Sequence, residues 1–221
     1  MRRSFAPERE SHHGVCEATP FLRGTTPSYR GPRQSNKHLG GTMSHWKVTE
    51  GCEHYFVTTT IVDWIDVFTS SRYFEILIDA LKYCISTKGL RLHAFVIMLN
   101  HAHYIVSSRD SKSISDVMRD FNTFTSRKIT ERLKIDGRRE ILNSFQRAAS
   151  SDGRGNRFKV WQAGYHPIGL WSDYVFNQKL NYIHDNPVRK GYVDEPDHWR
   201  FSSARNYLNG DHSVIEVECG W

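Results

Sequence analysis

The order of apolar patterns along this 221-residue chain predicts an α+β fold. Three observations carry that expectation. Runs of β-branched and aromatic residues stand at 54–62 (HYFVTTTIV), 92–98 (LHAFVIM) and 104–106 (YIV), the composition a strand favours. Apolar residues at helical spacing fill the stretch between the first two runs and the stretch after the third. A further short run, FKVWQ at 158–162, and a last amphipathic stretch follow. The resulting order is β-α-β-β-α-β and then a helix. That is the ferredoxin-like split βαβ arrangement, an antiparallel sheet with two helices on one face. The added C-terminal helix is the natural cover for the other face.

Each element has its own justification. After the strand at 54–62, Ser71 can cap a helix over 72–88, in which Phe74, Leu77, Ile78, Leu81 and Ile85 form the buried stripe. Gly89 follows as a stop. Strands at 90–98 and 102–108 are joined by a tight turn. Ser113 and Asp116 resemble a capping box, and the helix they open runs to about Lys134 with Ile114, Val117, Met118, Phe121 and Phe124 facing the core. Residues 136–157 read as a Gly/Ser/Arg-rich connection, and 158–162 as the fourth strand. Ser172 caps a helix over 173–185 that Pro187 ends, with Phe176, Leu180 and Ile183 as its buried stripe. The strand edge near 56–62 could pair across a two-fold axis, so monomer and homodimer both stay open.

Composition narrows the function. Residues 1–42 are rich in Gly, Pro, Ser, Thr and Arg without periodic apolar positions, which predicts a disordered basic extension ahead of one domain at 43–221. Four scattered cysteines (Cys16, Cys52, Cys84 and Cys219) form no CxxC pair, as in a reducing cytoplasm. No apolar run approaches membrane-spanning length. The net charge of +6 is uneven: residues 127–159, which include Arg138 and Arg139, hold ten basic and four acidic residues. Such a stretch is a candidate phosphate-contacting surface or an ordinary solvated insert.

The most specific string is Asn100-His101-Ala102-His103. Side chains alternate along a strand, so His101 and His103 share a face and can hold one divalent metal. Far downstream, in LNYIHDNP, Asn186 lies one helical turn beyond Tyr182 and shares its face. An amide oxygen is a reasonable hard ligand beside two imidazoles. The plainer alternatives are two structural histidines, an edge-packing Tyr182 and an Asn186 that caps the helix. A metal site with a tyrosine is equipment for attacking a phosphodiester, because the metal steadies charge on the phosphate while the phenol becomes the covalent nucleophile. Arg189 and Lys190 could hold a phosphate. His93 could support a metal ligand from behind or be structural, His166 lies near the site in sequence, and His184 faces elsewhere than Tyr182. Trp161, Trp171 and Trp199 could stack on bases or anchor the core.

At these residues the chain resembles the single-tyrosine transposases of the HUH superfamily, and among them the REP-associated tyrosine transposase branch. The likeness spans roughly residues 44–208. It rests on His101-Ala102-His103, on Tyr182 within YIHDNPVRKGYV, and on WRFSSARNY at 199–207. It implies a single-stranded DNA endonuclease and strand transferase dependent on Mg²⁺ or Mn²⁺. Tyr182 would form a 5′-phosphotyrosine at hairpin-forming or REP-like ends, with His101, His103 and Asn186 as metal ligands. It implies a prokaryotic, nucleoid-associated protein of the cytoplasm. Leu99 departs from the family, which usually has Pro there, and residues 137–157 are longer than the usual connection. The rival readings are a catalytically silent hairpin-DNA-binding protein of the same fold and a metal hydrolase with no covalent intermediate.

Overall fold

The aromatic and β-branched residues His54–Thr60 form the first strand (β1), which lies inside the sheet and not at its edge. The computed structural model describes residues 52–109, 113–153, 155–164 and 167–220. The expected extension at 1–42, Cys16 and His166 lie outside them. Helix α1 (Ser71–Lys88) connects β1 to β2 (Leu90–Ile97), which turns back into β3 (His101–Ser108). Helices α2 (Ile114–Ile135) and α3 (Arg139–Asp152) follow, then β4 (Ile168–Leu170), α4 (Asp173–Arg189) and the short α5 (Ala204–Asn209). The four strands pair antiparallel in the order β2-β3-β1-β4, as the split βαβ reading requires. No helix among the described residues is long and apolar enough to cross a membrane.

Alternation along the strands makes two cores. Tyr55, Val57, Tyr104 and Val106 face one way and join α1, α2 and α3 through Leu77, Leu81, Phe121 and Phe145. Phe56, Ala94, Val96 and Ile105 face the other way and meet Phe176 and Ile183 of α4. Full burial of Phe176 and Ile183 is worth about 2–3 kcal/mol each, enough to seat α4 on the sheet.

Several expectations need correction. The strand near 56–62 offers no free edge: β4 pairs with His54–Phe56, and Gln162 N–H and Val62 N–H bond to Thr60 and Val160 carbonyls alongside the rest. Two-fold pairing through that edge is therefore blocked. The outer edge of β2 is covered too, by Phe201, Ser203 and Glu218 backbone groups. The fourth strand is 168–170, not 158–162. Val160 and Trp161 instead plug the larger core, where Trp161 Nε1 donates to Thr125 Oγ1 at 3.1 Å. The supposed connection at 136–157 contains α3, whose Ile141, Phe145 and Ala149 repeat every fourth residue and are buried. Pro187 sits inside α4: only the Ile183 carbonyl loses a donor there, and Lys190 N–H still reaches the Asn186 carbonyl at 3.1 Å. Ser70, not Ser71, precedes α1. The Ser113–Asp116 box does not form, since the Asp116 carboxylate accepts from Arg119 instead. Phe124 is exposed.

Candidate active site

The register of β1 on β3 builds one wall of the site. Thr58 lies opposite His103, and Thr60 opposite His101, on the face that α4 covers. His103 Nδ1 and Thr58 Oγ1 are 2.7 Å apart. Asn100 orients the other imidazole. Its Nδ2 donates to the Trp64 carbonyl at 3.0 Å and to Asp66 Oδ1 at 2.7 Å, which leaves Asn100 Oδ1 facing His101 Nδ1 at 2.8 Å. A carbonyl oxygen only accepts, so His101 Nδ1 carries the proton and Nε2 keeps a lone pair.

Both rings are buried and neutral at pH 7. Burial pushes His101 down to about 4, helped by the Lys190 charge and partly offset by the nearby Asn186 side chain. Burial likewise pushes His103 down to about 3, with smaller contributions from His101 and Lys179. Neutral imidazole is the form that binds metal.

Helix α4 forms the opposite wall. Ser172 Oγ accepts from Val175 N–H at 3.3 Å and starts the helix. One long face then carries Phe176, Lys179, Tyr182, Ile183 and Asn186 toward the sheet or its margin. The Tyr182 ring stands 5.2 Å from that of His103, and the two histidine rings are 5.0 Å apart. Phe56 stacks on His103 at 5.3 Å and meets Tyr182 edge-on at 6.0 Å. Lys179 Nζ lies 5.8 Å and Arg189 Cζ 5.4 Å from the centre of the Tyr182 ring. Tyr182 is half-buried between these cations.

Two polar atoms, one on each wall, have no hydrogen-bond partner although they are buried: His103 Nε2 and Asn186 Oδ1. An orphaned buried acceptor is costly and asks for a ligand. Two imidazole nitrogens with an amide oxygen suit a divalent cation of hard or borderline character. No group of three or more His, Cys, Asp or Glu side chains among the described residues could hold a metal, so any such site depends on the amide.

The other candidates separate clearly. Arg189 reaches the site through Tyr182, and Lys190 through its charge on His101. Arg138 and Arg139 are exposed at the α2–α3 junction, on the layer across the sheet from α4. His93 is the extra residue of a bulge in β2; its Nε2 pairs with Ser107 Oγ at 2.7 Å and its Nδ1 faces the Glu218 carbonyl, so it is structural. His184 is buried against Ser203 Oγ at 2.9 Å and fastens α4 to the residue that precedes α5. The WRFSSARNY string is a clamp on β2: Trp199 Nε1 donates to the Ile97 carbonyl at 2.9 Å and Ser203 Oγ to the Phe95 carbonyl at 3.2 Å. Trp161 belongs to the core, while Trp171 is exposed. Thr58, Phe56, Lys179 and Trp64 were not singled out in the sequence, and Asn100 stood there only as the first residue of the histidine string, with no role of its own. Lys179 could have been, being three residues before Tyr182 on a helix. The others become visible only through strand register and loop path.

Comparison with known proteins bears on the family and the fold. The family described as "Transposase IS200 like" matches residues 65–185, more than half of the chain. The chain belongs to the IS200-like transposase family. The match includes His101, His103 and Tyr182 and ends one residue before Asn186. This transposase has the fold of a REP-associated tyrosine transposase solved bound to a REP hairpin. The two share 16% identity with a TM-score of 0.54, over 81% of this chain and 92% of that one. A transposase candidate from Deinococcus radiodurans R1 is also similar at 16% identity, over 68% of this chain and 97% of that one, but its TM-score of 0.37 carries no fold argument. No curated protein matches the sequence significantly. Family membership makes the protein an enzyme acting on DNA.

Proposed function

We propose that this IS200-like transposase is of the REP-associated type: a metal-dependent endonuclease and strand transferase for single-stranded, hairpin-forming DNA, with Tyr182 as nucleophile. The observation that supports this best is the 5.2 Å approach of the Tyr182 ring to His103, with the unpartnered Asn186 oxygen one turn further along the same helix face. His101, His103 and Asn186 would hold Mg²⁺ or Mn²⁺, which would supply Lewis-acid polarisation of the scissile phosphate. Tyr182 Oη then attacks phosphorus in line. The new bond is Tyr–O–P, the bond broken is P–O3′, and the 3′ oxygen leaves as a hydroxyl after taking a proton from solvent while the phenol releases its own. Lys179 and Arg189, over the tyrosine ring, stabilise the negative charge that grows on its oxygen. The phosphotyrosine conserves the phosphodiester energy, so a second DNA hydroxyl can displace the tyrosine and join strands. Arg189 and Lys190 would position the backbone, and Arg138 and Arg139 could hold only DNA that extends around to the other layer. A DNA substrate means that the protein would work alongside the genome, and the REP-associated reading carries with it the cytoplasm of a prokaryotic cell.

The test is a labelled hairpin oligonucleotide with single-stranded flanks, incubated with the protein and Mn²⁺. A denaturant-stable protein–DNA adduct is expected, absent with Tyr182→Phe or with chelator. Cleavage that survives Tyr182→Phe would establish a hydrolase instead. Hairpin binding without cleavage would establish a silent binder.

A further inference from the structure

We propose that Trp64 is a stacking platform for an unpaired base of the DNA, beside the phosphate that Tyr182 attacks. The inference rests on reading the His101–His103–Tyr182 cluster as the strand-cleaving site, and it adds a base-binding subsite to it. Trp64 is 58% exposed, yet its ring stands 5.8 Å from that of His101 at an interplanar angle of 68°. A nucleotide whose phosphate reaches the histidine pair therefore has its own or its neighbour's base within reach of the indole.

The backbone shows that this position is built. Asp63 and Trp64 both adopt left-handed conformations, with φ of 55° and 56°. Neither is glycine, and a bulky residue rarely takes this conformation unless its neighbours enforce it. Here they do. Trp64 N–H bonds to the Ile61 carbonyl at 3.1 Å, and the Trp64 carbonyl accepts from Asn100 Nδ2 at 3.0 Å. Asn100 is also the residue that orients His101. The same short loop thus fixes a ligand-bearing imidazole and an open aromatic face side by side.

The two most exposed aromatics among the described residues lack this setting. Trp171 and Tyr174 are 68% and 74% exposed, but they follow Leu170, which pairs with His54 at the far end of β1 from Thr60 and His101. Indole faces bind any base by stacking, so the subsite fits single-stranded DNA without demanding a particular sequence. Lys190, whose charge reaches His101, supplies attraction for the adjoining phosphate.

The experiment measures binding by fluorescence anisotropy on full-length protein carrying Tyr182→Phe, so that no turnover intervenes. The probes are a hairpin with oligothymidine flanks and the same hairpin with abasic flanks. Trp64→Gly removes the ring and suits the left-handed backbone, so the fold is not put at risk. Abasic flanks should weaken binding by the Trp64 protein about tenfold. Trp64→Gly should bind the thymidine probe about as weakly and be indifferent to loss of the bases, and Trp64→Phe should restore most of the preference. Equal sensitivity to abasic flanks with and without Trp64 would overturn the proposal. The adduct assay on the same thymidine hairpin, run with the native tyrosine, separates the two readings. Base coupling without an adduct would sink the cleavage reading and leave a single-strand-binding subsite; an adduct without base coupling would sink the subsite alone. No binding to either probe would end both.

Discussion

The rings of Tyr182 and His103 meet edge to face at 5.2 Å, and Phe56 touches both. One ring comes from the central hairpin and the other from the last long helix, so packing alone holds the phenol over the histidine pair. The hydroxyl has no part in that packing. Tyr182→Phe should accordingly change stability by less than about 0.5 kcal/mol in urea titration while abolishing the covalent adduct. A large drop in stability would mean that the oxygen is structural, and the missing adduct could then be blamed on unfolding.

Asn186 is buried within α4 and its Oδ1 has no partner. Such an atom costs stability that a bound cation would restore. Asn186→Leu keeps roughly the same shape and removes the unmet acceptor. It also removes the amide's hydrogen bond to buried His101, so the two changes offset: the metal-free protein should keep its stability within about 1 kcal/mol while Mn²⁺ binding weakens at least tenfold, read by urea titration and by calorimetric metal titration. A less stable variant with unchanged metal affinity would show that the amide serves the helix and not a ligand.

The fold was legible because its signals are strong and local. Runs of β-branched and aromatic residues marked three strands, and Phe176, Leu180 and Ile183 at helical spacing marked the helix that covers the second face. Helix α3 was missed because Ser, Arg and Gln surround its three buried positions and mimic a connection. The fourth strand was misplaced because Val160 and Trp161 read as strand residues yet serve the core as plugs. At the site, His101, His103, Tyr182 and Asn186 could be paired from strand and helix spacing, since each pair is local. Thr58 and Phe56 could not, because their place opposite the histidines depends on the register of β1 against β3. Trp64 could not either, because a pair of left-handed non-glycine residues leaves no mark in composition.

Buried histidines outside the site make stability fall in acid. His93 is pushed down to about 4, mainly by burial and then by His54, and it bonds Ser107 and the Glu218 carbonyl. An unfolded histidine titrates near 6.5. Above that pH both states are neutral at His93 and stability is flat. Below it the unfolded chain takes up a proton that the folded chain refuses. His93 then costs about 1.4 kcal/mol per pH unit until about pH 4, where its folded ring also protonates. Urea titrations between pH 7 and 4.5 should show this slope in the native chain, and His93→Gln should lower it by one proton's worth. An identical slope in both proteins would place the acid sensitivity elsewhere.

The histidine pair and Tyr182 converge within a single chain, which decides how two damaged copies should behave together. If a site were shared between subunits, mixing a protein lacking the tyrosine with one lacking a histidine would rebuild one intact centre. Here a copy carrying Tyr182→Phe keeps both imidazoles beside a useless ring, and a copy carrying His103→Ala keeps its tyrosine beside an incomplete ligand set. Neither can lend its part without α4 leaving the sheet, and Phe176 and Ile183, both essentially fully buried, hold it there. Mixtures of the two variants should therefore form no more adduct than each alone, at any ratio and at concentrations well above those used for the native enzyme. Recovery of adduct toward a quarter or half of the native level would require that α4 be exchanged between chains, and would replace the site within one chain by one assembled across a dimer.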